Sequence, residues 1–188
     1  METNYNCIII IGHMDVPVYS HDGCYASTIH SQRLSGTHDE IPVIMDEGQR
    51  LQISPGEEYL VKGRVYTTNE NGSLRMFLRA QSVVPVRASG SVNCNSIEME
   101  GYICKEPVAR RTKLGKDVCQ LIVANNFEGG PSYIPCVAFS ELADKCSCCK
   151  IGDKIYLTGR LQSRDYLTKD LVEGRTYEVA IKSVKFKN

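Results

Sequence analysis

Apolar residues recur at every second position along most of the chain, in short runs cut by glycine and proline. That period is the mark of half-buried β-strands. It predicts strands over Cys7–Ile11, Cys24–Arg33, Ile41–Ile44, Tyr59–Thr68 and Leu74–Val84, with turns at Asp22-Gly23, Pro55-Gly56 and Asn71-Gly72. The run Pro85–Asn95 is small and polar and reads as a linker. Strands resume over Ile97–Gly101, Lys116–Asn125, Tyr133–Phe139, Lys154–Arg164 and Thr176–Phe186, with a turn at Leu114-Gly115. Between the third and fourth of these, Ser140–Lys150 has helical character, with Ser140 as its expected N-cap.

The landmarks of the first half return in order in the second. Gly12 answers Gly101, Pro17 answers Pro107, Ile41-Pro42-Val43 answers Ile134-Pro135-Cys136, and Gly63-Arg64-Val65 answers Gly159-Arg160-Leu161. The spacing drifts from 89 residues (Gly12 to Gly101) to 96 (Gly63 to Gly159), as loop insertions produce. The reading is a duplicated unit: residues 1–86, a linker at 87–94, and residues 95–188. Five strands in each half, with a helix after the third in the second, is the order of the OB-fold. The expected class is all-β, two tandem five-stranded Greek-key barrels.

The outward phase of these strands carries the candidate chemistry. In the fourth strand of the second half, Ile155, Leu157, Gly159 and Leu161 share the inward phase. Tyr156, Thr158, Arg160, Gln162, Arg164 and Tyr166 share the other. Cations attract phosphates and rings stack on bases, so this face either suits a polyanion with flat bases or is a half-exposed strand whose charges face water. In the preceding strand Tyr133, Val137 and Phe139 form a second apolar face, either covered by a partner or open as a binding platform. The loop Val108–Lys116 adds Arg110, Arg111, Lys113 and Lys116. In the first half, Lys62, Arg64 and Tyr66 share the outward phase.

Charge sharpens this picture only slightly. Formal net charge is zero, but through Cys94 there are 7 Lys and Arg against 10 Asp and Glu, and afterwards 15 against 12. If one half meets phosphate first, it is the second. Nine cysteines without disulfide-type spacing, and no visible signal peptide or membrane-length run, fit a reducing cytoplasm. Cys146-Ser147-Cys148-Cys149 is a single cluster with no second ligand pair, so small buried side chains explain it better than zinc. His13, His21, His30 and His38 are spaced for neither a metal nor a nucleophile's base. With no phosphate loop or nucleophile elbow, neither an enzyme nor a cofactor is expected.

Four ordered blocks of the second half resemble the bacterial single-stranded-DNA-binding protein family: Asn95–Gly101, Leu121–Asn126, Ile134–Ala143 with Gly152-Asp153, and Gly159–Tyr166. The first half shares the likeness only through the repeat. The resemblance implies an OB-fold that wraps single strands by stacking and charge, without catalysis, in replication, recombination or repair. It places stacking rings at Phe127, Tyr133, Phe139 and Tyr166, where the family often has tryptophan, so weaker binding is expected. The first half has Glu40 near the match to Tyr133 and is expected to be a weaker or mainly architectural surface. It also implies four OB-folds per assembly, hence a homodimer. The family's acidic tail has no match in Lys182–Asn188, so recruitment of partner proteins through such a tail is not expected, and a phage or plasmid role stays open beside a housekeeping one. Two other readings stand: a protein-interaction OB module in a replication or DNA-transfer complex, and a module for RNA or oligosaccharide.

Overall fold

The alternation Ile8, Ile10 inward and Ile9, Ile11 outward is the local reason the first strand forms and faces as it does. Ile8 and Ile10 are fully buried, and each such side chain contributes about 1.5–3 kcal/mol by leaving water. The computed structural model describes residues 4–70, 72–87, 93–112, 114–127, 129–167 and 173–187. In the first half the elements are β1 (Asn6–Met14), β2 (Val18–Tyr19), β3 (Tyr25–Gln32), β4 (His38–Met45), α1 (Glu47–Arg50), β5 (Glu58–Glu70) and β6 (Ser73–Pro85). In the second they are β7 (Asn95–Ile103), β8 (Val108–Arg111), β9 (Asp117–Phe127), β10 (Gly130–Phe139), α2 (Glu141–Ser147), β11 (Lys154–Leu167) and β12 (Glu173–Lys187).

Each half closes on itself by the same pairings. In the first, β1 meets both β5 and β3, and β4 runs parallel to β6 at Val43↔Leu78. In the second, β7 meets both β11 and β9, and β10 runs parallel to β12 at Cys136↔Val179. This is the all-β OB architecture the sequence predicts. A kink in register stands at Lys62/Gly63 in one half and Thr158/Gly159 in the other. Glycine is required at both, because a Cβ on Gly63 or Gly159 would collide with the carbonyl of Arg79 or Ala180.

The halves join through β1 and β7, which pair antiparallel with Ile8 opposite Ile97. Ile97 is the counterpart of Ile8 at the 89-residue spacing of Gly12 and Gly101. A pseudo-twofold axis therefore passes between them, and the core runs through both halves as one cluster. Hydrogen bonds repeat around it. The Asn6 amide receives from Val65 N and donates to Val65 O, and the Asn95 amide does the same with Leu161. Across the halves, Thr67 N donates to Ser132 Oγ and Tyr133 N to Thr67 Oγ1. On the opposite side Ser163 N donates to Asp39 Oδ1 and Glu40 N to Ser163 Oγ.

Several expectations are corrected. Among the described residues each half has six strands, because β2 and β8, of two and four residues, are edge strands too brief to show a period. The stretch Val108–Lys116 is not a loop throughout: Val108–Arg111 pairs with β9. β6 runs through Pro85 and β7 begins at Asn95, so the expected linker at 87–94 falls between them; its residues 88–92 lie outside the described residues. Ser140 precedes α2 at φ +52° with no capping bond from its side chain, whereas Asp46 caps α1 in a capping box with Gln49. Among the described residues no helix is long and apolar enough to cross a membrane.

Candidate nucleic-acid interface

Side chains in register across neighbouring strands project to the same side of a sheet. Two such rows cross the outer face of the second half. In one, Arg110 on β8 is opposite Val118 on β9, which is opposite Phe139 on β10. In the other, Val108, Gln120, Val137, Ala180 and Arg160 follow one another from β8 to β11. The second apolar face of β10 is thus divided: Val137 is buried, while Phe139 (41% exposed) and Tyr133 (46% exposed) stand open on either side of it.

Phe139 also forms part of the wall of a groove of about 830 Å³ that runs between the halves. Arg160, Arg164 and Lys182 line it from the second half, and Gln32 and Arg33 from the first. Its two carboxylates are already engaged. Asp39 accepts from Arg33 Nε (2.8 Å) and from Ser163 N (2.8 Å). Glu178 accepts from Gln162 Nε2 (2.9 Å) and pairs with Arg164 (3.5 Å). Arg160 donates to the neutral Gln162 Oε1 (3.0 Å). Burial, and then the nearby Arg33, push its pKa below the ordinary guanidinium value. A cation disfavoured by its surroundings in this way is one that an arriving anion stabilises.

A second cluster forms across the pseudo-axis. Tyr66 stacks on Phe77 (centroids 6.0 Å apart, planes at 17°), and Phe127 from the other half meets Tyr66 edge-on at 4.6 Å. Tyr66 and Phe127 are therefore brought together, and both serve the packing between halves. Arg64 stands opposite Arg79 in the β5–β6 ladder, one register step from this stack, and Lys62 lies further along the same outer phase. Phe77, Arg79 and Lys182 escaped the sequence reading, although Arg75, Phe77 and Arg79 share one strand phase on β6 and were legible there.

The other candidates scatter. Tyr166 lies over Gly174, beside Leu167, Arg175 and Tyr177, in a hollow of its own. The Tyr156 hydroxyl donates to Glu98 (2.8 Å), a bond that raises its pKa, and its cross-strand neighbour is Glu100. Its neighbour on the other side is Lys185, so the setting is mixed in charge. Gln162, expected outward, is buried against Glu178. Arg111 is held by Gly115 O (3.0 Å) and Asp117 (3.6 Å). Arg110 and Lys116 are exposed, and Lys113 lies outside the described residues. Cys146 and Cys149 are packed in the core, where burial pushes their thiols up to about 12 and about 11, and Cys148 is exposed. Among the described residues no three His, Cys, Asp or Glu side chains are grouped to hold a metal ion.

A family model described as the single-strand binding protein family matches residues 94–187, half of the chain. The fold is similar to two crystal structures of the single-stranded DNA binding protein from Thermus aquaticus. A deletion variant aligns with TM-score 0.76 and 20% identity over 100% of this chain and 97% of that one. The wild type aligns with TM-score 0.75 and 19% identity over 100% and 95%. Both likenesses take in the two halves and their junction. No curated protein matches in sequence.

Proposed function

The chain belongs to the single-strand binding protein family and binds single-stranded DNA, and we propose that it does so chiefly on the outer face and groove of its second half. The family is one of non-catalytic DNA-binding proteins. In this reading Phe139 and Tyr133 stack bases, while Arg110, Arg160, Arg164 and Lys182 take phosphates. Tyr166 stacks a base further along β11, and Arg111 and Lys116 add charge at the β8–β9 turn. The observation that carries it is the register of Arg110, Val118 and Phe139, which sets a cation and an open ring on one face. On the first half, Lys62 and Arg64 supply phosphate contacts, and Tyr66 is mainly a packing ring.

The test is fluorescence anisotropy of labelled polythymidine across a salt series. Phe139→Ala is expected to weaken binding by about 1–3 kcal/mol, toward the lower end for phenylalanine. Arg160→Ala is expected to flatten the log affinity against log salt slope by about 0.7. No binding at low salt would overturn the DNA reading and favour the protein-interaction module. Binding unchanged by both substitutions would keep the function and move the site.

The same reading includes a homodimer. It is supported by an apolar outer row, Val84–Leu60–Ile11, in register over β6, β5 and β1, with Val84 exposed. Sedimentation equilibrium is expected to give twice the chain mass, and Val84→Lys to shift it toward the monomer. A monomeric wild type would sink the dimer.

A further inference from the structure

On β11 one strand phase runs Arg160, Gln162, Arg164, and all three line the groove between the halves. Gln162 is opposite Glu178 on β12, and both are buried. The Gln162 amide spans two unlike partners. Its Nε2 donates to Glu178 Oε1 (2.9 Å), and its Oε1 accepts from Arg160 Nη2 (3.0 Å). A carboxylate only accepts and a guanidinium only donates, so one orientation of the amide satisfies both. Turned over, it would set oxygen against oxygen and N–H against N–H.

We propose that Gln162 is a positioning residue for DNA binding, a neutral spacer that keeps Arg160 from pairing with Glu178 and so leaves its charge for a phosphate. The inference rests on the reading above, in which Arg160 takes a phosphate. The charges around the groove show what the spacer preserves. The cations lining it are Arg33, Arg160, Arg164 and Lys182, and the carboxylates are Asp39 and Glu178. Asp39 is taken by Arg33, and Glu178 by Arg164. That leaves Arg160 and Lys182 in excess. In the adjoining hollow Arg175 faces both Glu40 and Asp165. With that trio counted, five cations meet four carboxylates, and the excess is still positive. An amide passes on a hydrogen bond without passing on charge. A direct Arg160–Glu178 pair would cancel both charges, as Arg33 and Asp39 do, and a phosphate would have to break it before binding. In the first half the same two positions hold the stacked rings Tyr66 and Phe77, so no carboxylate competes for Arg64 from there.

The experiment is anisotropy of labelled polythymidine across a salt series, read as the slope of log affinity against log salt. That slope counts the phosphates held, and a packing defect lowers affinity without changing it. Gln162→Leu is expected to flatten the slope by about 0.7, the share of one contact on a single strand, as Arg160→Ala does. With Arg160→Ala already in place, Gln162→Leu is expected to change the slope no further. The same holds with Glu178→Gln in place, because no carboxylate is then left at that position to capture Arg160. Should Gln162→Leu fail to fold, Gln162→Asn, one methylene short of spanning both partners, is expected to flatten the slope in the same way. A slope that the folded Gln162 variant leaves unchanged, or flattens equally beside Glu178→Gln, overturns the proposal. A slope that Arg160→Ala leaves unchanged would overturn both the spacer and the phosphate contact on which it rests. Absence of wild-type binding at low salt would instead overturn the DNA reading itself.

Discussion

The two seams on either side of the pseudo-twofold axis have the same backbone bonds and opposite chemistry. On one side Thr67 and Ser132 tie β5 to β10, and the space beyond is filled by Tyr66, Phe77 and Phe127. On the other, Ser163 and Asp39 tie β11 to β4. There the counterparts of the three rings are Gln162, Glu178 and Arg33, joined with Asp39, Arg160 and Arg164 in a polar network. A duplicated frame needs its hydrogen bonds twice, but it can fill the space around them in two ways. Rings close the first seam by apolar contact. Charged side chains hold the second while leaving a groove with Arg160 and Lys182 in its wall. Division of labour between equivalent positions thus starts at the junction.

Breaking the polar seam is expected to give the larger effect. Asp39 is 1% exposed and receives both Arg33 and Ser163 N. Asp39→Ala leaves a guanidinium and an amide without their acceptor, and a loss of about 3 kcal/mol in urea unfolding is expected. A loss below about 1 kcal/mol would mean that the network spans the seam without holding it. The aromatic seam is expected to respond more gently. In a double-mutant cycle of Tyr66→Ala and Phe127→Ala, the edge-to-face contact should appear as a coupling of about 0.5–1.5 kcal/mol. A coupling of zero would make the two rings independent, and Phe127 would return to the list of free stacking positions.

The outer faces differ in the same manner. Tyr133 of the second half corresponds to Glu40 of the first, which is engaged with Arg175 rather than open. An aromatic ring needs only to be left exposed to serve a base, whereas an acid beside phosphate must be neutralised first. That makes the first half's contribution conditional on its surroundings.

Strand positions, the repeat and the OB order were legible because the period of two is a property of the local backbone and because glycine and proline interrupt it. Phe139 and Arg160 were legible for the same reason: each sits on the outward phase of a well-marked strand. The edge strands β2 and β8 were not, since two and four residues carry too little period. Neither was the burial of Gln162, because an outward phase reads as solvent until another half of the chain covers it.

By itself, then, the sequence determined the all-β class, the repeat of landmarks between the halves and the phase of the longer strands. These follow from side-chain alternation within a few residues. Only the tertiary structure decided which faces meet. The contacts of Tyr66 with Phe127 and of Asp39 with Ser163, and the pairing of His13 with His30, arise between strands far apart in the chain. No local pattern encodes them, because the register of β1 on β7 places one half against the other only after each barrel has closed.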